Sequence, residues 1–317
     1  MYYLGIDLGG TNIVAGVVDE EGNIIVKASC KTNIPRPQEA ICDDMAAVAL
    51  KALESAGLTK NDINYIGIGA PGAVNGATGV IEFTNNFNFH NWKIGEMMQE
   101  RLGVDIYVEN DANAAAYGEY MVGAAKDAND AIVITLGTGV GGGIIIDGQI
   151  YSGSNYAGAE LGHMVIQHGG RQCTCGRKGC WEAYSSATGL INMTREAIIN
   201  PYNNSSVLYK MIDGDTSKIN GKTAFDAALQ GCEVGKAIVD EYIAYLGTGI
   251  VNIINIFQPE ILCIGGGVSK QGKVLIDPLR KIVETERYTK HNDKQTQVCL
   301  CQLGNDAGII GAAFLGK

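Results

Sequence analysis

The chain has 317 residues, which suits two domains better than one because single domains commonly hold ~100–200 residues. Its net charge of −10 and its scattered lysines and arginines argue against a nucleic-acid partner, which needs a concentrated basic face. No apolar run reaches the ~18 residues of a membrane helix and the N-terminus does not resemble a signal peptide, so we expect a cytoplasmic protein without a membrane partner.

The N-terminal part of the chain alternates β-forming stretches with glycine turns. Residues 2–31 predict three strands, and a helix over 38–56 ends at Gly57, a residue well suited to a helix C-cap. Five segments follow, namely a buried strand, an aromatic and asparagine-rich loop, a short helix, a strand and an alanine-rich helix, at 63–70, 83–92, 93–102, 104–110 and 110–125.

The pattern of strand, glycine turn and strand restarts near Ala131. Residues 136–141 weakly echo residues 7–12, which favours two similarly built lobes. Mostly helical sequence covers 183–257, and two more strands, each followed by a helix, complete the chain. Since no linker separates the halves, the sequence predicts an α/β protein with two lobes around a cleft.

The most specific pattern lies in residues 158–182, here called the zinc loop. Its three cysteines, Cys173, Cys175 and Cys180, follow His163. Three thiolates and one imidazole make a complete tetrahedral ligand set for structural zinc. The alternative is a group of ordinary buried cysteines beside a surface histidine, but this density of cysteine and glycine is rare without a metal. The other six cysteines are typical of reduced thiols in a cytosolic protein.

Two carboxylates flank this ligand set. Glu160 lies three residues before the histidine, and Glu182 lies two residues after the last cysteine. We interpret the metal as shaping a loop that presents both carboxylates to a polar ligand. Since carboxylates accept hydrogen bonds from hydroxyl groups and repel anions, a neutral sugar fits better than an acid.

Three glycine clusters each follow a predicted strand, at Gly9-Gly10-Thr11, Gly137-Thr138-Gly139 and Gly265-Gly266-Gly267. Glycine lets backbone amides approach phosphate oxygens, although any one cluster could be only a hairpin turn. Asp7, just before the first cluster, could reach a magnesium ion directly or through water. Three clusters together favour a nucleotide. The second also fits a dinucleotide fingerprint, but it leads into a strand and not a helix, so we reject that interpretation.

Asn110 and Asp111 stand where a strand meets a helix, and the residues leave two interpretations open. Both residue types are good helix N-caps. Asp111 could instead be a general base, although a helix N-terminus is expected to lower the pKa of a carboxyl. Phosphoryl transfer removes the hydroxyl proton late, so an aspartate suffices. From these residues alone, we predict transfer of phosphate from a nucleotide to a sugar hydroxyl.

The sequence resembles the ROK family (repressor, open reading frame, kinase) of the actin-like ATPase superfamily, over essentially the whole chain. Within that family it is most similar to the bacterial glucokinases. The similarity rests on motifs at 5–12, 69–72, 109–119, 136–143, 160–163, 173–184, 264–269 and 307–313.

The resemblance implies an actin-like ATPase (ribonuclease H-like) fold and ATP-dependent phosphorylation of glucose at its 6-hydroxyl. The small lobe would comprise residues 1–118 and a C-terminal helix at about 305–317, and the large lobe residues 119–304. The implied cofactors are ATP, Mg²⁺ and structural Zn²⁺, and the chain would be a homodimer.

The resemblance also implies a role for each site residue. Asp111 matches the catalytic base. The residues that match sugar ligands are Asn110, Glu160, His163 and Glu182, with Gly72 and Asn85 on the far side of the sugar. Those that match the nucleotide site are Asp7, Gly9, Gly10, Thr11, Asn12, Gly137, Thr138 and Gly139, with Gly265 and Gly266 on the adenosine side.

Several alternatives stay open at this stage. The sugar could be N-acetylmannosamine, N-acetylglucosamine, fructose or allose, and the phosphate donor could be polyphosphate or another nucleotide. A non-catalytic sugar sensor or an actin-like scaffold is disfavoured by the combination of Asp111, phosphate turns and zinc loop. Family members that are repressors carry an N-terminal DNA-binding domain, for which we expect no room before the first strand.

Overall fold

The computed structural model describes residues 1–317 and divides into two compact units. Unit 1 comprises residues 1–133, 143–159 and 301–317, and unit 2 comprises residues 134–142 and 160–300.

The chain forms thirteen strands and ten α-helices, joined by turns and short 3₁₀ segments. The strands are β1 (Tyr2–Leu8), β2 (Asn12–Val18), β3 (Ile24–Lys31), β4 (Ile63–Ala70), β5 (Ala73–Asn75), β6 (Val80–Thr84), β7 (Phe89–Trp92), β8 (Asp105–Asn110), β9 (Ala131–Leu136), β10 (Val140–Ile146), β11 (Gln149–Ile150), β12 (Ile261–Gly265) and β13 (Gln297–Leu300). The helices are α1 (Gln38–Ser55), α2 (Ile94–Leu102), α3 (Asp111–Val122), α4 (Glu182–Ser185), α5 (Ala187–Ile199), α6 (Val207–Met211), α7 (Thr223–Leu229), α8 (Glu233–Phe257), α9 (Lys273–Glu286) and α10 (Ala307–Phe314).

The boundary between the units differs from the one expected at residue 118. Gly118 packs against α10, since a β-carbon there would lie 2.5 Å from the carbonyl oxygen of Ala307. The buried carboxylate of Glu119 accepts hydrogen bonds from the backbone N–H groups of Gln302 and Leu303 at 2.8–3.1 Å. These contacts keep the whole of α3 in unit 1.

The main sheet of unit 1 has the strand order β3-β2-β1-β4-β8. The first three strands are antiparallel, whereas β1, β4 and β8 are parallel. Strand β4 is almost continuously apolar and buried, as expected for a central strand covered on both faces. Asp7 pairs with Gly69, and Ala70 pairs with Asn110, so the polar residues that end β1 and β8 share one edge of the sheet.

Helix α10 lies directly on this sheet because glycines face it. A β-carbon on Gly67 would be 1.7 Å from the carbonyl oxygen of Ala312, and one on Gly311 would be 1.7 Å from that of Ala114 in α3. Real β-carbons do not approach that closely, so these two positions require glycine. The backbone-to-backbone packing holds α3, and with it Asp111, against the sheet.

The prediction of a loop over 83–92 was wrong. Strands β6 and β7 enclose a tight turn and join β5 in a three-stranded sheet. The sheet is stabilised by aromatic packing, because the buried Trp92 lies 5.7 Å from Phe87 and 5.2 Å from Phe89 between ring centroids. Such short strands give little alternating signal in the sequence.

A second five-stranded sheet has the order β11-β10-β9-β12-β13. The 25-residue helix α8 is long and apolar enough to cross a membrane by length and composition alone. Twelve of its residues are buried within the protein, which is the pattern of a core helix.

Candidate active site

The predicted site residues fall into two groups, one within each unit. In unit 1, the β1–β2 turn places Gly9 to Asn12 next to Asp7. Thr32, which sequence reasoning missed, braces this turn: its hydroxyl donates to the carbonyl oxygen of Gly9 at 2.7 Å, and its N–H donates to that of Thr11 at 3.0 Å. The turn therefore has a fixed shape before any ligand binds.

Two carboxylates occupy the shared edge of the main sheet. Burial, followed by the charge of Asp111, raises the pKa of Asp7 to about 6. Burial also raises the pKa of Asp111, and it outweighs the opposing hydrogen bond from the N–H of Ala112. The expectation that the helix N-terminus would lower this pKa was wrong, because desolvation dominates. A carboxylate with raised proton affinity is the better base.

Asn110 is the N-cap of α3. Its Oδ1 accepts from the N–H groups of Ala112 at 2.9 Å and Asn113 at 3.2 Å, and its Nδ2 donates to the carbonyl oxygen of Gly72 at 3.0 Å. One N–H of the amide therefore remains for a ligand. Gly72 has φ +122°, and a β-carbon there would lie 2.3 Å from the carbonyl oxygen of Phe83, so only glycine fits.

Asn85 lies in the exposed β6–β7 turn, and nothing links it to the other predicted residues. Its neighbour Asn86 is closer to them, since the Nδ2 atom lies 4.0 Å from where a β-carbon on Gly10 would stand. A run of asparagines gives no sequence signal for which member faces the site.

In unit 2, the four predicted metal ligands come together. The donor atoms of His163, Cys173, Cys175 and Cys180 all lie within 4.8 Å of one another. The Cys175 and Cys180 sulfurs are 3.6 Å apart, and Nδ1 of His163 is 3.7 Å from the Cys173 sulfur. Tetrahedral zinc with Zn–S bonds of about 2.3 Å needs sulfurs about 3.8 Å apart, so the set fits zinc.

His163 lies between the three cysteines and Glu160, the first of the two predicted carboxylates. Nδ1 of His163 faces the sulfurs, and Nε2 lies 3.9 Å from a carboxylate oxygen of the exposed Glu160. One ring nitrogen is thus available to a metal while the other faces Glu160. A metal at Nδ1 would fix the orientation of the ring.

Glu182 connects the zinc loop to the second glycine cluster. Its Oε1 lies 3.8 Å from the Cys173 sulfur, and its Oε2 accepts a hydrogen bond from the N–H of Val140 at 3.0 Å. A β-carbon on Gly139 would come within 2.2 Å of Oε2. The turn at 137–139, here called the glycine turn, is therefore shaped around this carboxylate.

Helix α5 begins at the glycine turn. The N–H of Ala187 donates to the carbonyl oxygen of Gly137 at 2.8 Å, and the Thr188 hydroxyl donates to that of Thr138 at 2.7 Å. A β-carbon on Gly137 would meet no atom within 4 Å, so this glycine leaves open space. Gly266 differs, because its φ of +85° and the 2.5 Å that would separate a β-carbon there from the carbonyl oxygen of Leu136 explain it without a ligand.

A cavity of about 710 Å³ opens beside these elements in unit 2. Thr138 and Gly139 line one part, and Asn192, Arg195 and Glu196 of α5 line another. Arg171 of the zinc loop also contributes and forms an ion pair with Glu196 at 2.6 Å. The cavity combines polar side chains with apolar surface, is large enough for a nucleoside, and is continuous with the glycine turn.

Gly139→Ala tests the contact between the glycine turn and Glu182. We expect kcat/KM for phosphoryl transfer to fall by at least about tenfold, because the new methyl group displaces the Glu182 carboxylate. Gly221→Ala is the matched control, since a β-carbon there meets its nearest atom at 3.7 Å. Steady-state kinetics on both variants make the measurement, and a Gly139→Ala enzyme with normal kcat/KM contradicts the expectation.

Comparison with known proteins gives matches along the whole chain. A model of the ROK family matches residues 3–317. A glucokinase of Streptomyces coelicolor is 38% identical over 314 residues, which are 99% of this chain and 97% of the relative. A crystal structure of a ROK family glucokinase from Streptomyces griseus, in complex with glucose and AMPPNP, has a TM-score of 0.80 at 38% identity, and each chain covers 99% of the other. The match confirms the predicted α/β fold.

A second kind of relative has a different role. A putative xylose repressor of Caldicellulosiruptor sp. is 30% identical over 314 residues, which are 98% of this chain and 77% of the repressor. The same fold therefore occurs in proteins of two classes, and the residues of the site decide between them.

Proposed function

The chain belongs to the ROK family, and on that premise we propose that it transfers the γ-phosphoryl group of ATP to the 6-hydroxyl of glucose. The observation that carries the proposal is Asp111, a carboxylate of raised pKa at the start of α3, beside Asp7 and the β1–β2 turn. A sugar sensor or a scaffold has no need of a base in that position.

We assign Asp111 as the general base. Its carboxylate takes the proton of the 6-hydroxyl as the oxygen attacks the γ-phosphorus, and ADP leaves with the electrons of the broken P–O bond. Asn110 supports this role, because its remaining amide N–H is free to donate to a sugar hydroxyl and its side chain caps the helix that carries Asp111.

We assign the sugar's other contacts to Glu160, His163 and Glu182, which lie around the zinc ligands. Zinc held by the four ligands of the zinc loop would serve as a structural ion, since no ligand position is left open for water. Glu182 would also fix the position of the sugar relative to the nucleotide, because its second oxygen accepts a hydrogen bond from the N–H of Val140 at the glycine turn.

We assign ATP to the β1–β2 turn, to the glycine turn and to the α5 cavity. Thr138 and the N-terminus of α5 would meet phosphate oxygens, and the far part of the cavity, lined by α5, would take the nucleoside. Asp7 would bind Mg²⁺ directly or through water, and the ion would neutralise charge on the β- and γ-phosphates. Binding of the cation would favour the ionised form of Asp7, against the burial that raises its pKa.

The test is a coupled ADP-release assay with MgATP and a panel of glucose, mannose, fructose, N-acetylmannosamine and N-acetylglucosamine. We expect kcat/KM for glucose to exceed that for every other sugar. A preference for an acetamido sugar would keep the mechanism and change the substrate. No turnover with any sugar, or equal ATP hydrolysis with and without sugar, would contradict a kinase.

We further propose a cytoplasmic location, which the thiols of the half-buried Cys30 and the buried Cys42 and Cys232 support, since such thiols persist in a reducing compartment. The homodimer that the resemblance implies stays a prediction. Light scattering, which measures the molar mass of the protein in solution, checks it.

A further inference from the structure

A buried carboxylate that has no role in the assignments above lies one residue before the Asn110–Asp111 pair. Glu109 ends the buried part of β8, and its side chain is only 8% exposed. Burial raises its pKa, against three hydrogen bonds that lower it. Burial of an acidic group destabilises the folded state unless hydrogen bonds compensate for the lost hydration, so the partners of Glu109 indicate its role.

The partners of Glu109 all bear on the start of α3. Its Oε1 accepts from the backbone N–H of Asn110 at 2.8 Å and from Nδ2 of the buried Asn113 at 3.0 Å. The N–H of Asn113 in turn donates to Oδ1 of Asn110 at 3.2 Å. The three residues form a closed set of hydrogen bonds around Asn110, whose own N–H is fixed, directly before Asp111.

We propose that Glu109 is a positioning residue for phosphoryl transfer, whose carboxylate fixes the Asn110 peptide and so the direction of the Asp111 side chain. This inference rests on the proposed function. It differs from a purely stabilising role, in which Glu109 would anchor the helix start without affecting the step catalysed by Asp111.

Position and not charge is the property that the geometry requires. Oε1 makes both short hydrogen bonds, whereas Oε2 has only the Ser152 hydroxyl at 3.5 Å. A glutamine can place its carbonyl oxygen where Oε1 is and its amide next to Ser152, so it keeps both short bonds. An alanine leaves the Asn110 N–H and the Asn113 amide without an acceptor.

The experiment compares Glu109→Ala, Glu109→Gln and the control Ser152→Ala in the full chain, with rates expressed per folded molecule. We expect Glu109→Ala to lower kcat for glucose phosphorylation by about 10–100-fold, because a small misplacement of a catalytic group has that effect, while KM for ATP stays within about twofold. Glu109→Gln should retain kcat within about threefold, and Ser152→Ala should match the wild type.

Three results would overturn the inference. One is a folded Glu109→Ala enzyme with wild-type kcat, and another is a Glu109→Gln enzyme as impaired as Glu109→Ala. If Glu109→Ala does not fold, Asn113→Ala removes the same hydrogen bond from the other side, and we expect a several-fold lower kcat; an unchanged kcat is the third. Failure of the proposed function is distinguishable, because it would appear as wild-type protein that phosphorylates no sugar.

Discussion

Asp111→Asn should lower kcat by roughly 10²–10⁴-fold, the usual effect of removing a positioned general base. Asparagine has the same shape, and its Oδ1 can still accept the N–H of Ala112 that Asp111 accepts at 2.9 Å. The cap made by Asn110 is untouched. Steady-state kinetics with glucose and MgATP measure the effect, and KM for both substrates should change far less than kcat.

The effect of the same substitution on stability distinguishes the two roles that the sequence leaves open for Asp111, namely part of the helix start and general base. Burial raises the pKa of Asp111, and the charge of Asp111 raises the pKa of Asp7, so at neutral pH both ionised groups disfavour the folded state. Asp111→Asn should therefore leave the free energy of unfolding at pH 7 unchanged or higher. A variant with normal kcat and lower stability would show that Asp111 is only part of the helix start.

The pH dependence of the free energy of unfolding can be measured on the wild-type protein in the absence of divalent cations, and its sign follows from the pKa of Asp7. The folded-state pKa of Asp7, about 6, exceeds the ordinary value of 3.8 for an aspartate. The unfolded chain therefore releases this proton first, and the contribution of Asp7 to stability declines as pH rises from 3.8 to about 6. In Asp111→Asn this decline in stability should span a narrower range of pH, because the charge of Asp111 no longer raises the pKa of Asp7.

The four candidate metal ligands could be proposed from the sequence because metal chemistry restricts residue type and spacing. Three cysteines and a histidine within one loop have few other uses, and the structure brings all four donor atoms together. The glycine turn was predicted for a similar reason. Gly266 was a weaker case, since its positive φ and its contact with Leu136 would require glycine in any protein of this fold.

Residues that act through the backbone could not be predicted. Thr32 braces the β1–β2 turn by contacts with Gly9 and Thr11, more than twenty residues away, and Thr188 of helix α5 binds Thr138 in the glycine turn. A single threonine has no distinctive pattern, so only the fold reveals what it contacts. The pKa of Asp111 was misjudged for the same reason, because the sequence shows the helix N-terminus but not the burial that outweighs it.

Cys175→Ser should release zinc and raise KM for glucose by about 10–100-fold, with a smaller effect on KM for ATP. Zinc would hold His163 by Nδ1 and so set the orientation of the ring that faces Glu160, and Cys173 lies 3.8 Å from Glu182. In the wild-type loop without the ion, burial, followed by contacts with the neighbouring thiols, raises the pKa of Cys180 to about 12, so this residue is a neutral thiol unless a metal is bound. The loop that carries the sugar contacts then loses its fixed shape.

The matched control is Cys30→Ser, a half-buried thiol of unit 1 outside the ligand set, which should keep one zinc per chain and wild-type kinetics. Elemental analysis gives the zinc content, and kinetics give both KM values. The glycine turn is held by α5 through Ala187 and Thr188 as well as by Glu182, so it should survive loss of the ion. Equal increases in both KM values would contradict this account, because they would mean that zinc supports unit 2 as a whole and not the sugar contacts. Unchanged zinc content would overturn the metal assignment itself.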